Sequence, residues 1–357
     1  MVGTAILKVF LLLIGFVLLV KGADFFVDGA SGIAKKLKVS TFIIGVTVVA
    51  LGTSAPEAAV TIMDAATGSG DLIVGNILGS NIMNIFLILG VSAVICNLPV
   101  EKTTRMIDLP FLILISVLFV VLGFFGSSFT WWEGLILLVL YFAYMAYNVV
   151  FAVKQSKLQL EEAHTVCAID GGTETVQAPE ITGWYAKLKF KYEELKDKVW
   201  FLIIITVVGL AMVVGGAQLV VNSAEYIAVE LIKIPSEIVA LTVVAFGTSL
   251  PELVTSVSAA RKGDVGIATG NIIGSNIANI LLIGGLGAVC KGSMGLNFST
   301  EGLVSGLVAL GAAVIIFASS FGKKKCIGRS AGIVMLSCLV AYYVFIFLNL
   351  YVFNLYA

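Results

Sequence analysis

The chain has few charged residues. Lys, Arg, Asp and Glu make up 12% of its 357 residues, whereas about a quarter of the residues in a soluble domain are charged. The mean hydropathy is +1.06. This composition excludes an ordinary soluble domain and indicates a protein that crosses the membrane several times. The formal net charge is zero, so the charge balance gives no support to nucleic-acid binding.

Histidine and paired cysteines are also scarce. The single histidine, His164, lies in a polar loop, which excludes a histidine proton relay inside the membrane. The five cysteines show no Cys-x-x-Cys spacing and are interpreted as free thiols. Because the apolar segments contain no nucleophile–base pair and no metal-binding histidine, we expect neither an enzyme nor a bound cofactor.

Apolar runs long enough to span a membrane are abundant. A helix needs about 20 apolar residues to cross the hydrocarbon core, and ten such runs fall into two groups of five. We therefore expect an all-α integral membrane protein with two five-helix halves, 1–153 and 199–357, joined by a polar linker, 154–198. A short amphipathic surface helix is expected at 185–199. The expected spans lie near 4–32, 40–67, 72–97, 107–126, 130–153, 200–230, 236–260, 265–290, 301–321 and 330–353.

Basic residues are concentrated on one side of this arrangement. Clusters of Lys and Arg at 35–38, 102–105, 261–262 and 323–329 all fall in loops of the same side. Since short loops rich in Lys and Arg stay in the cytoplasm, we expect this side and the linker to be cytoplasmic and both termini to be outside. We also expect the protein to lie in the cell membrane and to function as a monomer.

The two halves repeat the same motifs. The sequence TVVALGTSAPE at 47–57 matches TVVAFGTSLPE at 242–252, and GNILGSNIMNI at 75–85 matches GNIIGSNIANI at 270–280. The offset is 195 residues in both cases. Because five spans is an odd number, the second copy enters the membrane from the opposite side. The sequence therefore predicts an inverted repeat about a pseudo-two-fold axis in the membrane plane, as in many secondary transporters.

The GTSxPE motif predicts a broken helix in each half. Proline lacks an N–H and disfavours helix in the residue before it, so breaks are expected near 50–54 and 245–249, in helices 2 and 7. Broken backbone inside a bilayer needs protein or water around it, and its oxygen atoms suit hard cations. Glu57 and Glu252 add acids there that must be liganded, paired or protonated. Simple proline kinks with neutral glutamates are the alternative.

The GNxxGSNxxN motif adds neutral oxygen atoms. Asn76, Ser80 and Asn84 recur every four residues and form a polar stripe on one helix face, which is typical of a site or a water path. The second copy repeats the stripe and ends at Asn279. The glycines of the motif, taken alone, indicate close helix packing.

Two further acids lie near the cytoplasmic end of the first helix. Asp24 and Asp28 follow Lys21 closely in the sequence. We expect a local ion pair between these residues at the membrane interface. An ion entry vestibule is the alternative interpretation.

The paired motifs resemble the alpha repeats of the cation/calcium exchanger superfamily, specifically its sodium/calcium exchanger branch. The resemblance covers both halves, and the short chain without regulatory domains is similar to prokaryotic members. It implies that the acids bind Ca²⁺, that Thr, Ser and Asn of the motifs supply further oxygens, and that an Ala carbonyl in each half helps bind Na⁺. The implied metal-binding residues are Ala50, Thr53, Ser54, Glu57, Ser80, Asn84, Ala245, Thr248, Ser249, Glu252, Ser275 and Asn279.

The resemblance and the charge count together imply Na⁺/Ca²⁺ exchange. Potassium-dependent relatives carry aspartate at the position of Asn279, so K⁺ cotransport is not expected. An empty site with two carboxylates would carry about two negative charges and reorient poorly, which makes exchange obligatory; a third Na⁺ would make it electrogenic. A cation/proton antiporter of the same fold is the main alternative. A channel and an intramembrane enzyme are further alternatives.

Overall fold

The structure, a computed structural model, describes residues 2–67, 71–126, 128–167, 195, 198–232, 245–292, 296–298, 300–322 and 325–348. These residues are almost entirely helical. The helices are, in chain order, α1 (Val2–Leu37), α2 (Thr41–Thr53), α3 (Ala55–Thr67), α4 (71–95), α5 (104–126), α6 (Trp131–Cys167), α7 (Val199–Leu231), α8 (Ala245–Thr248), α9 (Leu250–Lys262), α10 (Val265–Lys291), α11 (Thr300–Ser319) and α12 (Arg329–Leu348).

Membrane-spanning helices appear in both halves, as predicted. Eight of the described helices are long and apolar enough to cross a membrane, and α2 with α3 forms a bent pair that would be a ninth span. Helices α8 and α9 hold the corresponding place in the second half. The residues that would complete their span, 233–244, lie outside the described residues, so the count of ten spans stays a prediction.

The predicted linker begins as helix. Helix α6 continues to Cys167, well beyond the span expected to end at residue 153, so the first part of the polar linker is helical. The local sequence explains this, because residues 154–167 contain no proline or glycine to end the helix. The surface helix predicted at 185–199 lies almost entirely outside the described residues.

Two short strand pairs show that the halves are inverted. Strand β1 (Leu98–Pro99) precedes α5 and pairs with β4 (Cys326–Ile327), which follows α11. Strand β2 (Ser128–Phe129) follows α5 and pairs with β3 (Leu296–Asn297), which precedes α11. The start of each helix therefore lies beside the end of the other. Equivalent helices of the two halves run in opposite directions across the membrane, as the odd number of spans requires.

Helices α4 and α10, which carry the two GNxxGSNxxN motifs, form the centre of the molecule. In the most apolar part of each helix, 78% of the residues of α4 and 83% of those of α10 are buried, against 17% in α1 and α12. Small residues make this packing possible: a Cβ added to Gly274 of α10 would lie 2.6 Å from the carbonyl oxygen of Val46. The motif of α10 is thus fully enclosed by protein, whereas in the motif of α4 Gly75 is exposed and Asn76 and Gly79 are half-buried.

Helices α1 and α7 pack against each other in antiparallel orientation along a stripe of glycines. A Cβ at Gly15 would lie 2.9 Å from the carbonyl oxygen of Gly216, and a Cβ at Gly22 would lie 2.9 Å from that of Gly209. Both pairs are seven residues apart, so they lie on one face of each helix. The backbones approach as closely as glycine allows.

Candidate ion-binding site

Both GTSxPE motifs interrupt their helices at an equivalent serine. Ser54 separates α2 from α3 with φ −81° and ψ 6°, and Ser249 separates α8 from α9 with φ −89° and ψ 2°. The first pair of helices bends by 45° at the break. Each serine lies two residues before the proline, whose missing N–H prevents a regular turn. The predicted breaks in helices 2 and 7 are confirmed.

A hydrogen bond joins the two motifs. The Ser54 hydroxyl donates to Oε1 of Glu252 over 2.9 Å. Ser54 lies three residues before Glu57, so the acids of both halves meet at the junction of the two broken helices. Glu57 and Glu252 are only 2% and 1% exposed, respectively. Both acids therefore lie inside the protein, near the junction of the two broken helices, rather than facing lipid.

Several buried oxygen atoms of the same motifs have no hydrogen-bond partner within the part of the chain that the structure describes. Leaving a buried carboxylate or amide oxygen without a partner costs free energy. All of these atoms are oxygens, which hard cations such as Ca²⁺ prefer. The atoms are Oε2 of Glu57 and of Glu252, Oγ of Ser249 and of Ser275, and Oδ1 of Asn84, of Asn276 and of Asn279.

No group of three or more His, Cys, Asp or Glu side chains that could hold a metal lies among the described residues. A cation at this site would therefore rest on two carboxylates, with neutral oxygens completing its coordination. Such a set suits an ion that must bind and leave, because affinity for Ca²⁺ rises with the number of charged ligands.

The structure brings most of the predicted site residues into the interior. The buried ones are Ala50, Thr53, Ser54, Glu57, Ser80, Asn84, Ser249, Glu252, Ser275 and Asn279. Thr248 is half-buried, and Ala245 begins α8, with its burial outside what the structure describes.

The Ala50 carbonyl oxygen, which we expected the helix break to leave without a hydrogen bond, accepts one from the backbone. The donor is the backbone N–H of Ser54, at 3.0 Å. The chain keeps this helical hydrogen bond because the break lies after Thr53, at Ser54 itself. Only the second lone pair of the Ala50 oxygen could meet an ion.

Sequence reasoning missed direct contacts between the two GSN segments. The amide of Asn279 donates to Oδ1 of Asn81 over 3.1 Å, and the amide of Asn81 donates to the backbone oxygen of Asn276 over 3.4 Å. These bonds tie α4 to α10 at the centre of the molecule. The motif contains the asparagines, but no local pattern indicates which of them meet.

The sequence also gave no sign of π-helical turns beside the site. The segments Met83–Leu89 and Asn279–Ile283 are π-helical, and the last asparagine of each GSNxxN motif lies in or at the start of one of them. Such segments widen a helix locally and are frequent at functional sites.

A second polar contact, present in both halves, was recoverable from the repeat. The amide of Asn76 donates to the Thr61 hydroxyl over 3.2 Å, and the amide of Asn271 donates to the Ser256 hydroxyl over 2.9 Å. Thr61 and Ser256 occupy matching positions at the offset of 195 residues. Alignment of the halves could therefore have shown both hydroxyls, although neither lies in a recognised motif.

The expected ion pair of Asp24 with Lys21 is wrong. Lys262 of α9 lies 3.5 Å from Asp24 and 2.7 Å from Asp28, and the Ser258 hydroxyl donates to Asp24 over 2.7 Å. Sequence distance misled the prediction, because the packing of α1 beside α9 brings Lys262 closer. A cavity of about 500 Å³ lies here, lined by residues that include Asp24, Lys262 and the neighbour of Glu252, Leu253.

Known proteins resemble this chain in sequence and in structure over most of its length. Residues 7–150 and 201–348 match a family model described as sodium/calcium exchanger protein. The sodium/calcium exchanger MaX1 of Methanosarcina acetivorans is 35% identical, covering 94% of this chain and 97% of that protein. The putative antiporter CaxA of Alkalimonas amylolytica is 34% identical, with the same coverage of 94% and 97%. A solved structure of the sodium-calcium exchanger NCX_Mj is 31% identical with a TM-score of 0.76, covering 96% of this chain and 99% of that one.

Proposed function

Since the chain belongs to the sodium/calcium exchanger protein family, we propose that it exchanges Na⁺ for Ca²⁺ across the cell membrane by alternating access. The hydrogen bond between Ser54 and Glu252 carries the proposal. It places the acid of one half against the broken helix of the other, so that a cation bound there is held by both halves. Movement of other helices against this shared site then changes the side from which the ion can leave.

The ligands are proposed to be the oxygens of the two GTSxPE and the two GSNxxN motifs, with Glu57 and Glu252 at the centre. The support is the set of buried oxygen atoms in these motifs that lack a partner among the described residues. Na⁺ and Ca²⁺ compete because both need the two carboxylates. The Ala50 and Ala245 carbonyls belong to the same set on the strength of the family resemblance.

The charge of the site makes exchange obligatory. Two carboxylates leave the empty site with about two negative charges, and moving each charge across the membrane field costs about 2.3 kcal/mol per 100 mV. One Ca²⁺ or two Na⁺ neutralise the site, and a third Na⁺ on neutral oxygens makes the exchange electrogenic. Asn279 stands where potassium-dependent relatives carry an acid, so K⁺ is not needed.

The moving part is proposed to be the pair α1 and α7. Their contact is a smooth glycine stripe, with backbone facing backbone at Gly22 and Gly209. Contact this close favours movement of α1 and α7 together, as one unit, against the other helices. The pair also lies at the periphery of the described helices, whereas α4 and α10 are enclosed.

The remaining assignments follow from the sequence. The halves are 1–153 and 199–357, the linker 154–198 lies in the cytoplasm, and both termini lie outside. The strand pairs support the relative placement of the loops, because β1 and β4 lie in loops expected on one side and β2 and β3 in loops expected on the other. A single chain supplies both acids, which supports a monomeric functional unit.

Transport into proteoliposomes tests the proposal. Vesicles loaded with Na⁺, with K⁺ or with an acidic buffer are diluted into medium containing ⁴⁵Ca²⁺. We expect uptake only from Na⁺-loaded vesicles, without any need for K⁺, and faster uptake when the interior is held positive. Uptake that follows the pH gradient and ignores Na⁺ would instead establish a cation/proton antiporter.

A further inference from the structure

Three buried polar side chains form a chain beside the proposed ion site. The Thr53 hydroxyl donates to Oδ1 of Asn271 over 3.0 Å, and the amide nitrogen of Asn271 donates to the Ser256 hydroxyl over 2.9 Å. All three side chains are 0% exposed. These two hydrogen bonds connect the end of α2 to α10 and α9, and thus join the two halves.

The direction of the first hydrogen bond decides what Thr53 can offer an ion. A hydroxyl has one proton and two lone pairs, and it coordinates a cation only with a lone pair. The proton must therefore point to another acceptor. Asn271 Oδ1, at 3.0 Å, is the best-placed acceptor. The Ala50 carbonyl oxygen, at 3.5 Å, is a poorer one, and the Glu252 carboxylate lies close enough to compete for the same proton.

The second hydrogen bond decides the orientation of the Asn271 amide. Because the nitrogen donates to Ser256, the oxygen faces Thr53. A flipped amide would present its N–H groups to Thr53 and drive the hydroxyl proton away from Asn271, towards the acids. The other half has the same amide-to-hydroxyl bond, from Asn76 to Thr61, which shows that a threonine serves as well as a serine.

We propose that Asn271, held by Ser256, is a positioning residue for the transported cation. Its Oδ1 accepts a hydrogen bond from the Thr53 hydroxyl. The oxygen lone pairs of Thr53 are thereby turned towards the ion between Glu57 and Glu252. Asn271 does not touch the ion itself. This inference rests on the proposed function and assigns part of its ion affinity to a residue outside the expected ligand set.

The test is the ion concentration at which exchange is half-maximal. We expect Asn271→Ala to raise the half-saturating Ca²⁺ concentration roughly three- to tenfold, the worth of one lost hydrogen bond, and to raise that of Na⁺ in the same direction. The maximal rate per folded molecule should change much less. Ser256→Ala should show a smaller rise, and Ser256→Thr should restore nearly wild-type values, because Thr61 fills the same role in the other half.

Asn148→Ala is the matched control. Asn148 is also buried, and its amide donates to the backbone oxygen of Tyr144 in α6. We expect this variant to leave both half-saturating concentrations unchanged. A purely structural role for Asn271 would lower the yield or the maximal rate without a shift in concentration dependence, and that result would overturn the proposal.

Two further measurements distinguish a failure of this inference from a failure of the proposed function. If Asn271→Ala does not fold, unchanged ion dependence in Ser256→Ala overturns the inference. If the wild type shows no Na⁺-driven Ca²⁺ uptake, the proposed function fails, and Ca²⁺-induced thermal stabilisation of detergent-solubilised protein then tests the inference. A weaker stabilisation in Ser256→Ala than in Ser256→Thr supports it, and equal stabilisation overturns it.

Discussion

Ser54 of the first half donates a hydrogen bond of 2.9 Å to Glu252 of the second, and the equivalent pair behaves differently. Ser249 Oγ and Glu57 Oε2 both lack a partner among the described residues. The two halves repeat the same motif, yet only one serine hydroxyl is used to hold the opposite acid. The site is therefore asymmetric although the sequence that builds it is nearly symmetric.

This asymmetry predicts unequal effects of equivalent serine substitutions. Ser54→Ala removes a donor from a buried carboxylate and should raise the half-saturating Ca²⁺ concentration by about tenfold or more, since bonds to charged groups are the stronger ones. Ser249→Ala also removes one neutral oxygen of the proposed ligand set, but it breaks no hydrogen bond to an acid among the described residues, so it should raise this concentration clearly less. Concentration dependence of ⁴⁵Ca²⁺ uptake measures both, and equal effects would contradict the prediction.

Removing either central acid should abolish exchange. In Glu57→Gln and Glu252→Gln, one Ca²⁺ would leave the site with a net positive charge, and the pair of carboxylates that both ions share would be lost. Na⁺-driven ⁴⁵Ca²⁺ uptake should fall to background in each variant. Glu133→Gln is a control, because Glu133 accepts its hydrogen bonds within the described residues from Thr130, just before α6, and lies outside the proposed ligand set. Wild-type uptake by either central variant would remove the shared carboxylate site.

Adding a third acid should transfer the voltage dependence from the Na⁺-loaded step of the cycle to the Ca²⁺-loaded step. In Asn279→Asp, an ionised site would carry about three negative charges, so that it is neutral with three Na⁺ and negative with one Ca²⁺. We expect Ca²⁺/Ca²⁺ self-exchange to be insensitive to membrane potential in the wild type and sensitive to it in the variant. The measurement is isotope exchange at clamped potentials in proteoliposomes. Voltage-insensitive self-exchange in both proteins would contradict the charge argument.

The ion pairs of Lys262 should restrict access to the cavity between α1 and α9. Lys262 binds Asp24 and Asp28, whereas the corresponding polar side chains of α7, Gln218 and Asn222, bond to each other. Lys262→Met should increase labelling of a cysteine placed at Val257, which lines the cavity. The increase should be only a few-fold, since partly exposed ion pairs contribute little free energy.

Arg261→Met is the control for this experiment. Arg261 lines the same cavity, and its removal changes the local charge by the same amount. Labelling that rises equally in Lys262→Met and Arg261→Met would show that charge, and not the link to α1, controls access.

The glycine stripe between α1 and α7 should tolerate no side chain. A Cβ at Gly209 would lie 2.8 Å from the backbone oxygen of Gly22, so Gly209→Ala must push the helices apart. Overpacking of this kind costs about 1–3 kcal/mol and should lower both thermal stability and turnover. Gly215→Ala, on the same helix, is the control because nothing lies within 4 Å of its added Cβ. Equal behaviour of the two variants would exclude tight packing here.

Local chemistry made much of this protein predictable. Apolar length defines a spanning helix without reference to neighbours, and a proline disrupts its own helix wherever it stands. The breaks at Ser54 and Ser249 and the inverted repeat were therefore present in the sequence. The repeat also indicated Glu57 and Glu252 as partners, because matched positions in inverted halves come to the same depth.

The tertiary structure decided which side chains meet. It paired Lys262 rather than Lys21 with Asp24, and it linked Thr53 through Asn271 to Ser256. Such contacts depend on how each helix is rotated and shifted against its neighbours, and a small shift exchanges one partner for another. Hydrophobic pattern and proline position do not encode that rotation, so only the packed helices reveal it.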